Sequence, residues 1–282
     1  KQILNAGIKE VVFSMHDPNI DIYKKGINTL KKAGIKTKII NPSFNNFLIN
    51  YGHYCYHKNK RPTFTIKIGS SVDSKITFSN GKSKWITSDL ARRHSHQLRS
   101  MNDAILVGAN TFKKDNPSLN SRIDNYDTKN YRIIFDKDCS LSLNSNLLKG
   151  LKKNPLIIFT KKNCKNKNYY RLLSKGVKIY PVNLNKTRLL NVNEIVSVLY
   201  RLGVQKVLIE GGAKTASSFL NLGIVDCIYI YRSSKIIGKN GLHAFDQLKC
   251  NSNFILYDST ELEDNRLEVW INKELQNIGK NY

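Results

Sequence analysis

The sequence predicts an α/β fold in which helices flank a mostly parallel sheet. Short apolar runs rich in β-branched residues alternate with helical stretches along most of the 282 residues. Apolar residues make up 40% of the chain, which is typical of a globular protein with a buried core. Strands separated by helices favour parallel pairing, and ligands of such sheets bind at the carboxyl ends of the strands. A functional site is therefore expected at those ends.

The composition also argues against several classes of protein. Lys and Arg number 46 against 21 Asp and Glu, a net charge of +25, but the lysines are spread along the chain and no nucleic-acid motif accompanies them. We interpret the charge as a solvated surface and expect no specific nucleic-acid partner, with a nucleic-acid-binding protein as the alternative. No apolar run approaches the roughly 18 residues of a membrane span, and the chain does not start like a signal peptide, so we expect a soluble, cytoplasmic protein without membrane association. Five scattered cysteines without a Cys-x-x-Cys pair argue against a disulfide framework or a zinc ribbon.

Residues 1–58 predict a small βα unit. Residues 10–14 and 35–40 are short apolar runs typical of strands, and the helical stretch between them ends before Gly34. Ser43 is positioned to cap a second helix that continues to Tyr56. Two strands and two helices are too few for a stable independent sheet. We therefore expect this unit to pack on the rest of the chain.

Residues 59–282 predict a larger α/β domain that begins after the polar join Asn59-Lys60-Arg61-Pro62. Residues 63–69 alternate with the two-residue period of a strand. Thr87 or Ser88 is expected to cap a helix that continues through Met101. The remaining predicted elements are strands at 103–108, 131–135, 156–160, 177–182, 206–209, 227–231 and 267–271, and a helix at 192–202.

A glycine turn follows the predicted strand 206–209. Gly211 and Gly212 lead from that strand into a helix of small and apolar residues. Glycines let a ligand approach the backbone, and the N terminus of a helix favours a phosphate. The alternative is a tight connection whose glycines serve packing alone. The turn matches neither the Gly-x-Gly-x-x-Gly fingerprint nor a P-loop, so a standard Rossmann or Walker assignment fails.

A second group of polar residues surrounds the helix that ends near Met101. Arg99 and Arg122 are able to make bidentate contacts with a phosphate, and Trp85 is able to stack on a flat ring. Each residue also has an ordinary explanation. Trp85 would serve as a core aromatic, Arg99 as a surface cation near a helix C terminus, and Asp115-Asn116-Pro117 as a turn.

Several segments match one known family when they are taken together and in order. They are Arg61-Pro62, Lys67-Ile68-Gly69-Ser70-Ser71-Val72-Asp73, Trp85-Ile86-Thr87-Ser88, Ala91-Arg92, Leu98-Arg99, Asp103-Ala104-Ile105-Leu106-Val107-Gly108, Thr111, Asp115-Asn116-Pro117-Ser118-Leu119, Arg122 and Glu210-Gly211-Gly212. On these residues the chain resembles the reductase domain of the bifunctional riboflavin-biosynthesis deaminase/reductase, whose fold is similar to dihydrofolate reductase. The resemblance covers about the last four-fifths of the chain. The first region looks like the tail of the family's deaminase domain, with Ala6-Gly7-Ile8 and Asp17-Pro18-Asn19 as its marks.

The resemblance implies that NADPH reduces 5-amino-6-(5-phosphoribosylamino)uracil to the ribityl compound on the way to riboflavin. By the family's pattern, NADPH would be held by Gly69, Trp85, Thr111, Asp115, Gly212, Ala213, Lys214, Thr215, Ala216, Ser217 and Ser218. The pyrimidine ribosyl phosphate would be held by Ser83, Arg99, Leu119, Arg122 and Glu210, with the two arginines at its 5-phosphate. Lys67 and Glu210 are the catalytic candidates. Lys67 is chosen because a buried ammonium is able to polarise the sugar's ring oxygen or the imine, and its alternative role is surface solvation. The resemblance also suggests a homodimer. NADPH rather than NADH does not follow from spacing, and Lys137, just after the predicted strand 131–135, is our choice for the 2′-phosphate contact.

Two departures from the family's pattern bear on the loops. Ser71-Val72-Asp73-Ser74 stands where the family usually has Ser-Leu-Asp-Gly. If that position has a positive φ, Ser74 strains the loop by roughly 1 kcal/mol. Lys214 stands where the family tends to have a non-charged residue, and its charge would favour the phosphates of the cofactor.

The zinc motifs of a deaminase, His-x-Glu and Pro-Cys-x-x-Cys, do not occur in this sequence. His53-Tyr54-Cys55-Tyr56-His57 lacks the glutamate and lies in a predicted helix, and His94 and His96 do not share a helix face, so we interpret the latter two as surface histidines. We expect no metal site. Residues 1–58 are predicted to be the remnant of a cytidine-deaminase-like domain, and residues 59–282 a reductase domain without deaminase activity. The alternative is an inactive scaffold that binds a separate deaminase chain.

Overall fold

The computed structural model describes residues 1–40, 43–78, 85–121, 123, 129–249 and 253–280. Strands and helices alternate along most of this part of the chain, as the sequence predicts. In chain order the elements are α1 (Gln2–Asn5), β1 (Glu10–Phe13), α2 (Ile20–Lys32), β2 (Lys36–Ile39), α3 (Phe44–Lys58), β3 (Thr63–Ser70), β4 (Lys75–Thr77), α4 (Asp89–Ser100), β5 (Ala104–Val107), α5 (Ala109–Asp115), β6 (Tyr131–Phe135), a 3₁₀ turn (Asn146–Leu148), β7 (Leu156–Lys161), α6 (Lys167–Ser174), β8 (Lys178–Val182), α7 (Val192–Arg201), β9 (Lys206–Glu210), α8 (Ala213–Leu220), β10 (Cys227–Ser233), β11 (Leu242–His243), β12 (Phe254–Leu262), β13 (Asn265–Asn272) and α9 (Lys273–Lys280).

The main sheet has nine strands in the order β12-β13-β10-β3-β9-β5-β6-β7-β8. The strands from β10 to β8 pair in parallel, whereas β13 is antiparallel to both β10 and β12. The mostly parallel sheet with flanking helices is therefore confirmed. The sequence did not predict β12, because this edge strand carries a bulge between Leu256 and Asp258 and leaves many of its side chains exposed.

Apolar side chains cover both faces of the parallel strands. On one face, Ile195 of α7 and Phe219 of α8 pack with Phe64 and Ile66 of β3. On the other face, Leu172 of α6 joins a cluster that includes residues of β5, β6 and β7. A parallel sheet needs this two-sided cover, and it explains why all four residues of β5 are apolar and buried. None of the helices in the described residues is long and apolar enough to cross a membrane.

In the described part of residues 1–58, β1 and β2 form a separate two-stranded sheet, and helix α3 packs against the end of the large sheet. β1 and β2 pair in parallel, and α2 above them buries none of its residues. Ser43 caps α3, as predicted. The aromatic residues Phe47 and Tyr51 of α3 pack with Ile271 and Leu275 near the end of the chain. Helix α3 thus shares an apolar cluster with β13 and α9.

A buried carboxylate also ties α3 to the main sheet. Asp226 accepts a hydrogen bond from the Tyr51 hydroxyl at 3.1 Å and two from the Arg61 guanidinium at 2.8 and 2.9 Å. The backbone N–H of Phe64 donates to the same carboxylate at 2.8 Å. One buried group therefore links helix α3, Arg61 and strand β3 of the main sheet.

Candidate active site

The carboxyl ends of β3, β5, β6 and β9 open into one cleft of about 1600 Å³. Helix α4 forms one wall through Ser95, His96 and Arg99, and residues 242–246 with the start of α8 form another. The cleft lies where the order of parallel strands predicts a ligand site. It is therefore the candidate active site of the fold.

Two glycine turns meet at the floor of this cleft. Gly108 directly follows β5, and Gly211 and Gly212 follow β9 with φ angles of +69° and +79°. A Cβ at Gly108 would collide with the Thr215 hydroxyl, and one at Gly211 would lie 3.4 Å from the Thr111 hydroxyl. Close approach thus requires a glycine at position 108, whereas the positive φ angles favour glycine at positions 211 and 212. Among the described residues no side chain caps the N terminus of α8, so its first N–H groups remain for an anion at the positive end of the helix dipole.

Lys67, Arg99 and Glu210 form a charged group beside this floor. Lys67 of β3 stands opposite Glu210 of β9 in the parallel register. Arg99 of α4 donates from Nε to Glu210 Oε1 at 2.7 Å and from Nη2 to Oε2 at 2.5 Å. Its Nη1 donates to the backbone oxygen of Asn120 at 3.0 Å. Two cations therefore surround one carboxylate, which leaves the group with net positive charge.

Burial and these charges shift the pKa values of all three groups. Burial lowers the pKa of Lys67, Glu210 opposes this shift, and Arg99 adds to it. Burial alone would raise the pKa of Glu210, but the charge and hydrogen bonds of Arg99, with a further contribution from Lys67, lower it. Burial would lower the pKa of Arg99, but Glu210 raises it. Glu210 is thus held as a carboxylate, and Lys67 loses its proton more readily than an exposed lysine.

A buried tyrosine borders Lys67 on the same face of the sheet. Lys67 Nζ lies 5.4 Å from the centroid of the Tyr231 ring, and the Tyr231 hydroxyl is 2.8 Å from His94 Nδ1. Burial raises the pKa of Tyr231 and lowers that of His94. The interpretation of His94 and His96 as surface histidines is therefore wrong, because His94 is half-buried against Tyr231 and His96 lines the cleft.

The structure brings most of the predicted site residues to one cleft. Of the predicted cofactor, substrate and catalytic residues, those that line it are Lys67, Gly69, Trp85, Arg99, Thr111, Asp115, Leu119, Lys137, Glu210, Gly212, Ala213, Lys214, Thr215, Ala216 and Ser218. Ser83 and Arg122 lie outside the described residues. The surface alternative for Lys67 is wrong, because its side chain is enclosed beside Glu210 and Tyr231.

Two of the predicted residues are placed differently from the expectation. Ser217 is buried on the far side of α8, where its hydroxyl accepts from the backbone N–H of Asp246 at 2.9 Å, so it does not line the cleft. Arg99 is neither a surface cation nor free to serve a phosphate alone, because each of its three nitrogens already donates to a protein oxygen. Its direct partner is Glu210.

Trp85 and Ser74 stand at the mouth of the cleft and in the loop beside it. Trp85 is 54% exposed, and the Arg92 guanidinium lies 4.9 Å from its ring centroid, so the core-aromatic alternative is wrong. Ser74 has a φ of +59°, which is the left-handed conformation that the family's glycine would adopt without strain. The sequence missed the wall at residues 242–246, because a two-residue strand has no periodic pattern.

Comparisons with known proteins place the strands and helices that form the cleft in a known family. The model of the RibD C-terminal domain matches residues 62–273. The chain belongs to the RibD C-terminal domain family. Its dihydrofolate-reductase-like fold is confirmed by the same comparisons.

Two curated relatives and two solved structures illustrate the similarity. The riboflavin biosynthesis protein RibD of Aquifex aeolicus is 33% identical over 84% of this chain and 64% of its own length. That of Bacillus amyloliquefaciens is 32% identical over 84% of this chain and 62% of its own length. The chain thus spans less than two thirds of these relatives.

Among solved structures, the Thermotoga maritima diaminohydroxyphosphoribosylaminopyrimidine deaminase/5-amino-6-(5-phosphoribosylamino)uracil reductase is 28% identical with a TM-score of 0.77, over 96% of this chain and 73% of that one. Acinetobacter baumannii RibD is 25% identical with a TM-score of 0.81, over 96% of this chain and 75% of that one. Within the described residues, no group of three or more His, Cys, Asp and Glu side chains is arranged to hold a metal ion.

Proposed function

We propose that this protein reduces 5-amino-6-(5-phosphoribosylamino)uracil with NADPH to the 5-phosphoribitylamino compound of riboflavin biosynthesis. The observation that carries the proposal is the joint position of the Lys67–Glu210–Arg99 group and the paired glycine turns in one cleft. The Thermotoga maritima relative carries this reductase activity in its name. Family membership and the geometry thus support the same reaction.

The cleft residues fit a dinucleotide. The uncapped N terminus of α8 and the glycine cradle beside it suit a pyrophosphate, and the exposed ring of Trp85 offers a flat surface at the mouth. Lys137 follows β6 on the cleft wall and is our choice for the 2′-phosphate that distinguishes NADPH from NADH. When bound, the dihydronicotinamide supplies the hydride that reduces the substrate.

Lys67 and Glu210 are proposed to prepare the sugar for that reduction. The lowered pKa of Lys67 makes its Nζ–H a better acid at neutral pH, so it gives a proton to the ribose ring oxygen as the bond from this oxygen to C1′ breaks. The nitrogen lone pair of the ribosylamine forms the imine at C1′, which is the carbon that accepts the hydride. Glu210 remains a carboxylate throughout, orients Arg99 and stabilises the positive charge of the imine. Lys67 then regains its proton from solvent.

The charge of the cleft supports an anionic substrate. Lys67 and Arg99 exceed Glu210 by one positive charge. A phosphate monoester would supply the missing negative charge. We keep Ser83, Leu119 and Arg122 as proposed substrate residues, and we expect a homodimer.

A coupled pair of measurements tests the proposal. Purified protein is mixed with NADPH and the deaminated pyrimidine phosphate, and the loss of reduced-nicotinamide absorbance is followed; NADP⁺ binding is measured separately by calorimetry. We expect loss of absorbance that depends on the substrate, and its near absence in the Lys67→Met variant. His57→Ala is the matched control, because His57 lies on α3 and does not line the cleft.

Failure has two separate forms. A protein that binds NADP⁺ without turnover would favour the alternative of a scaffold for a separate deaminase chain. A protein that binds neither NADP⁺ nor the pyrimidine phosphate would contradict the proposed function as a whole.

A further inference from the structure

A buried lysine stands directly behind an exposed histidine of the cleft wall. Lys75 of β4 is only 7% exposed, and its Nζ is 2.7 Å from Nε2 of His243 in β11. The two residues are opposite each other in the antiparallel pairing of these strands. His243 itself is exposed and lines the cleft. The pair therefore connects the interior of the wall with its ligand-facing side.

The backbone around this pair is closely held. The Ser71 N–H donates to the Lys75 backbone oxygen at 2.9 Å. In return, the Lys75 N–H donates to the Ser71 hydroxyl at 3.0 Å. The Ala244 N–H donates to the Ser74 backbone oxygen at 3.0 Å. A Cβ at Gly241 would lie 2.9 Å from Lys75 Cβ, so the strand that carries His243 passes tightly over the lysine. The backbone on both sides of His243 is thus held close to the loop that carries Lys75.

This contact selects one tautomer of the imidazole. A lysine ammonium has three N–H donors and no acceptor, so Nε2 of His243 must accept the hydrogen bond. The single proton of a neutral imidazole then lies on Nδ1. In the part of the chain that the structure describes, Lys75 Nζ has no carboxylate partner that would replace His243. The polar group that remains for a ligand is therefore the Nδ1–H donor.

The neighbours of His243 indicate which ligand it meets. Residues 244–246 continue along the cleft wall, and the Asp246 N–H donates to Ser217 on the buried side of α8. Helix α8 begins at the glycine turn proposed to hold the cofactor, whereas Lys67 and Arg99 belong to the wall formed by β3 and α4. Residues 244–246 thus connect His243 with α8, the helix that begins at the proposed cofactor turn.

We propose that His243 donates its Nδ1–H to an oxygen of the bound dinucleotide, and that Lys75 is the positioning residue that fixes this tautomer. The inference rests on the proposed function, because it takes NADP(H) as the occupant of the cleft. It assigns two residues of this chain that the family resemblance does not include among the cofactor contacts.

Four variants, compared with the wild type, test the role of the histidine through the dissociation constant of NADP⁺, measured by calorimetry on the full chain. In His243→Asn the amide nitrogen replaces Nδ1 and keeps the donor, whereas in His243→Gln the longer side chain places its amide near the position of Nε2. We expect His243→Gln and His243→Ala to weaken NADP⁺ binding roughly fivefold to tenfold, as for the loss of one hydrogen bond, and His243→Asn to remain close to the wild type. His57→Ala is the control for loss of a histidine that does not line the cleft.

Nitrogen-15 NMR of the histidine ring tests the role of Lys75 without any ligand. We expect the Nδ1–H form of His243 in the wild type and a shift towards the Nε2–H form in Lys75→Met, with weaker NADP⁺ binding. Because a folding defect would not select a tautomer, this readout separates positioning from support of the loop.

The outcomes distinguish the inference from the function on which it rests. Equal NADP⁺ affinity of the wild type and His243→Ala, or equal losses in the Asn and Gln variants, would overturn the role of His243 while the proposed function stands. An Nε2–H ring in the wild type, or an unchanged ring in Lys75→Met, would overturn the role of Lys75. A wild-type protein that does not bind NADP⁺ would overturn the proposed function, and the inference with it.

Discussion

Replacing Glu210 by glutamine should destabilise the protein by about 3 kcal/mol. The carboxylate is almost buried, with a side chain 10% exposed, and it receives two hydrogen bonds from Arg99 at 2.7 and 2.5 Å. Removal of one partner of a buried pair leaves an uncompensated charge and costs roughly 3–5 kcal/mol. Glutamine keeps the shape and one acceptor oxygen, which places the expected loss at the lower end of that range. Lys67 and Arg99 would then face each other without a counterion.

The loss is measured by urea unfolding, followed by circular dichroism at neutral pH. Asp138→Asn is the control, because Asp138 pairs with Lys161 at 2.7 Å but both side chains are about half exposed. An exposed pair contributes only about 0–1 kcal/mol. The double variant Arg99→Met, Glu210→Gln should recover part of the loss, since one of the two uncompensated cations is then absent. Similar losses in Glu210→Gln and Asp138→Asn would refute the reasoning from burial.

Glu210→Gln should also change how the stability of the protein depends on pH. The pKa of Glu210 is lower in the folded protein than in the unfolded chain, so the unfolded state binds more protons as the pH falls. The stability from Glu210 is therefore fully present above its unfolded pKa and is lost as the pH falls through the folded pKa. In Glu210→Gln, the free energy of unfolding should therefore fall less steeply at acid pH than in the wild type, as urea unfolding at several pH values would measure.

Three further predictions follow from individual positions. Lys67→Met should lower kcat by roughly 10²–10⁴-fold in a steady-state assay while the Kd for NADP⁺ stays unchanged, because the proton donor is lost and the glycine cradle is not; an unchanged kcat would remove Lys67 from the mechanism. Gly108→Ala should lower stability by about 1–3 kcal/mol in urea, because its Cβ would meet the Thr215 hydroxyl, and adding Thr215→Ala should restore most of it; no recovery would contradict the contact. Ser74→Gly should raise stability by about 0.5–1 kcal/mol, because Ser74 has a φ of +59°; a lower urea midpoint would contradict the strain.

Local patterns account for the parts of the fold that the sequence predicts well. Parallel strands such as β5 are continuous apolar runs, and serine caps such as Ser43 and Ser88 mark helix starts by their own hydrogen bonds. The edge strand β12 and the short helix α6 escape prediction, because a bulge interrupts one pattern and eight residues give too few turns for the other. Hydrophobic periodicity and helix-capping residues therefore predict local structure, and they do not predict how distant segments pair.

In the candidate site, too, some residues are predictable from the sequence and their contacts are not. Lys67, Glu210 and the glycine turn come from the resemblance and the strand ends, but the bond between Arg99 and Glu210 depends on how α4 packs over β9, which no spacing records. The Lys75–His243 contact joins strands of three and two residues, so nothing in either segment announces it. Pairings between distant segments require the structure.

Transfer of a labelled hydride tests the central claim most directly. The protein is incubated with NADPH that carries deuterium at both C4 positions of the nicotinamide and with the deaminated pyrimidine phosphate, and the product is analysed by mass spectrometry. The account predicts a ribitylamino product with one deuterium at C1′. A reduced product without deuterium, or unreacted pyrimidine together with intact NADPH, would contradict it.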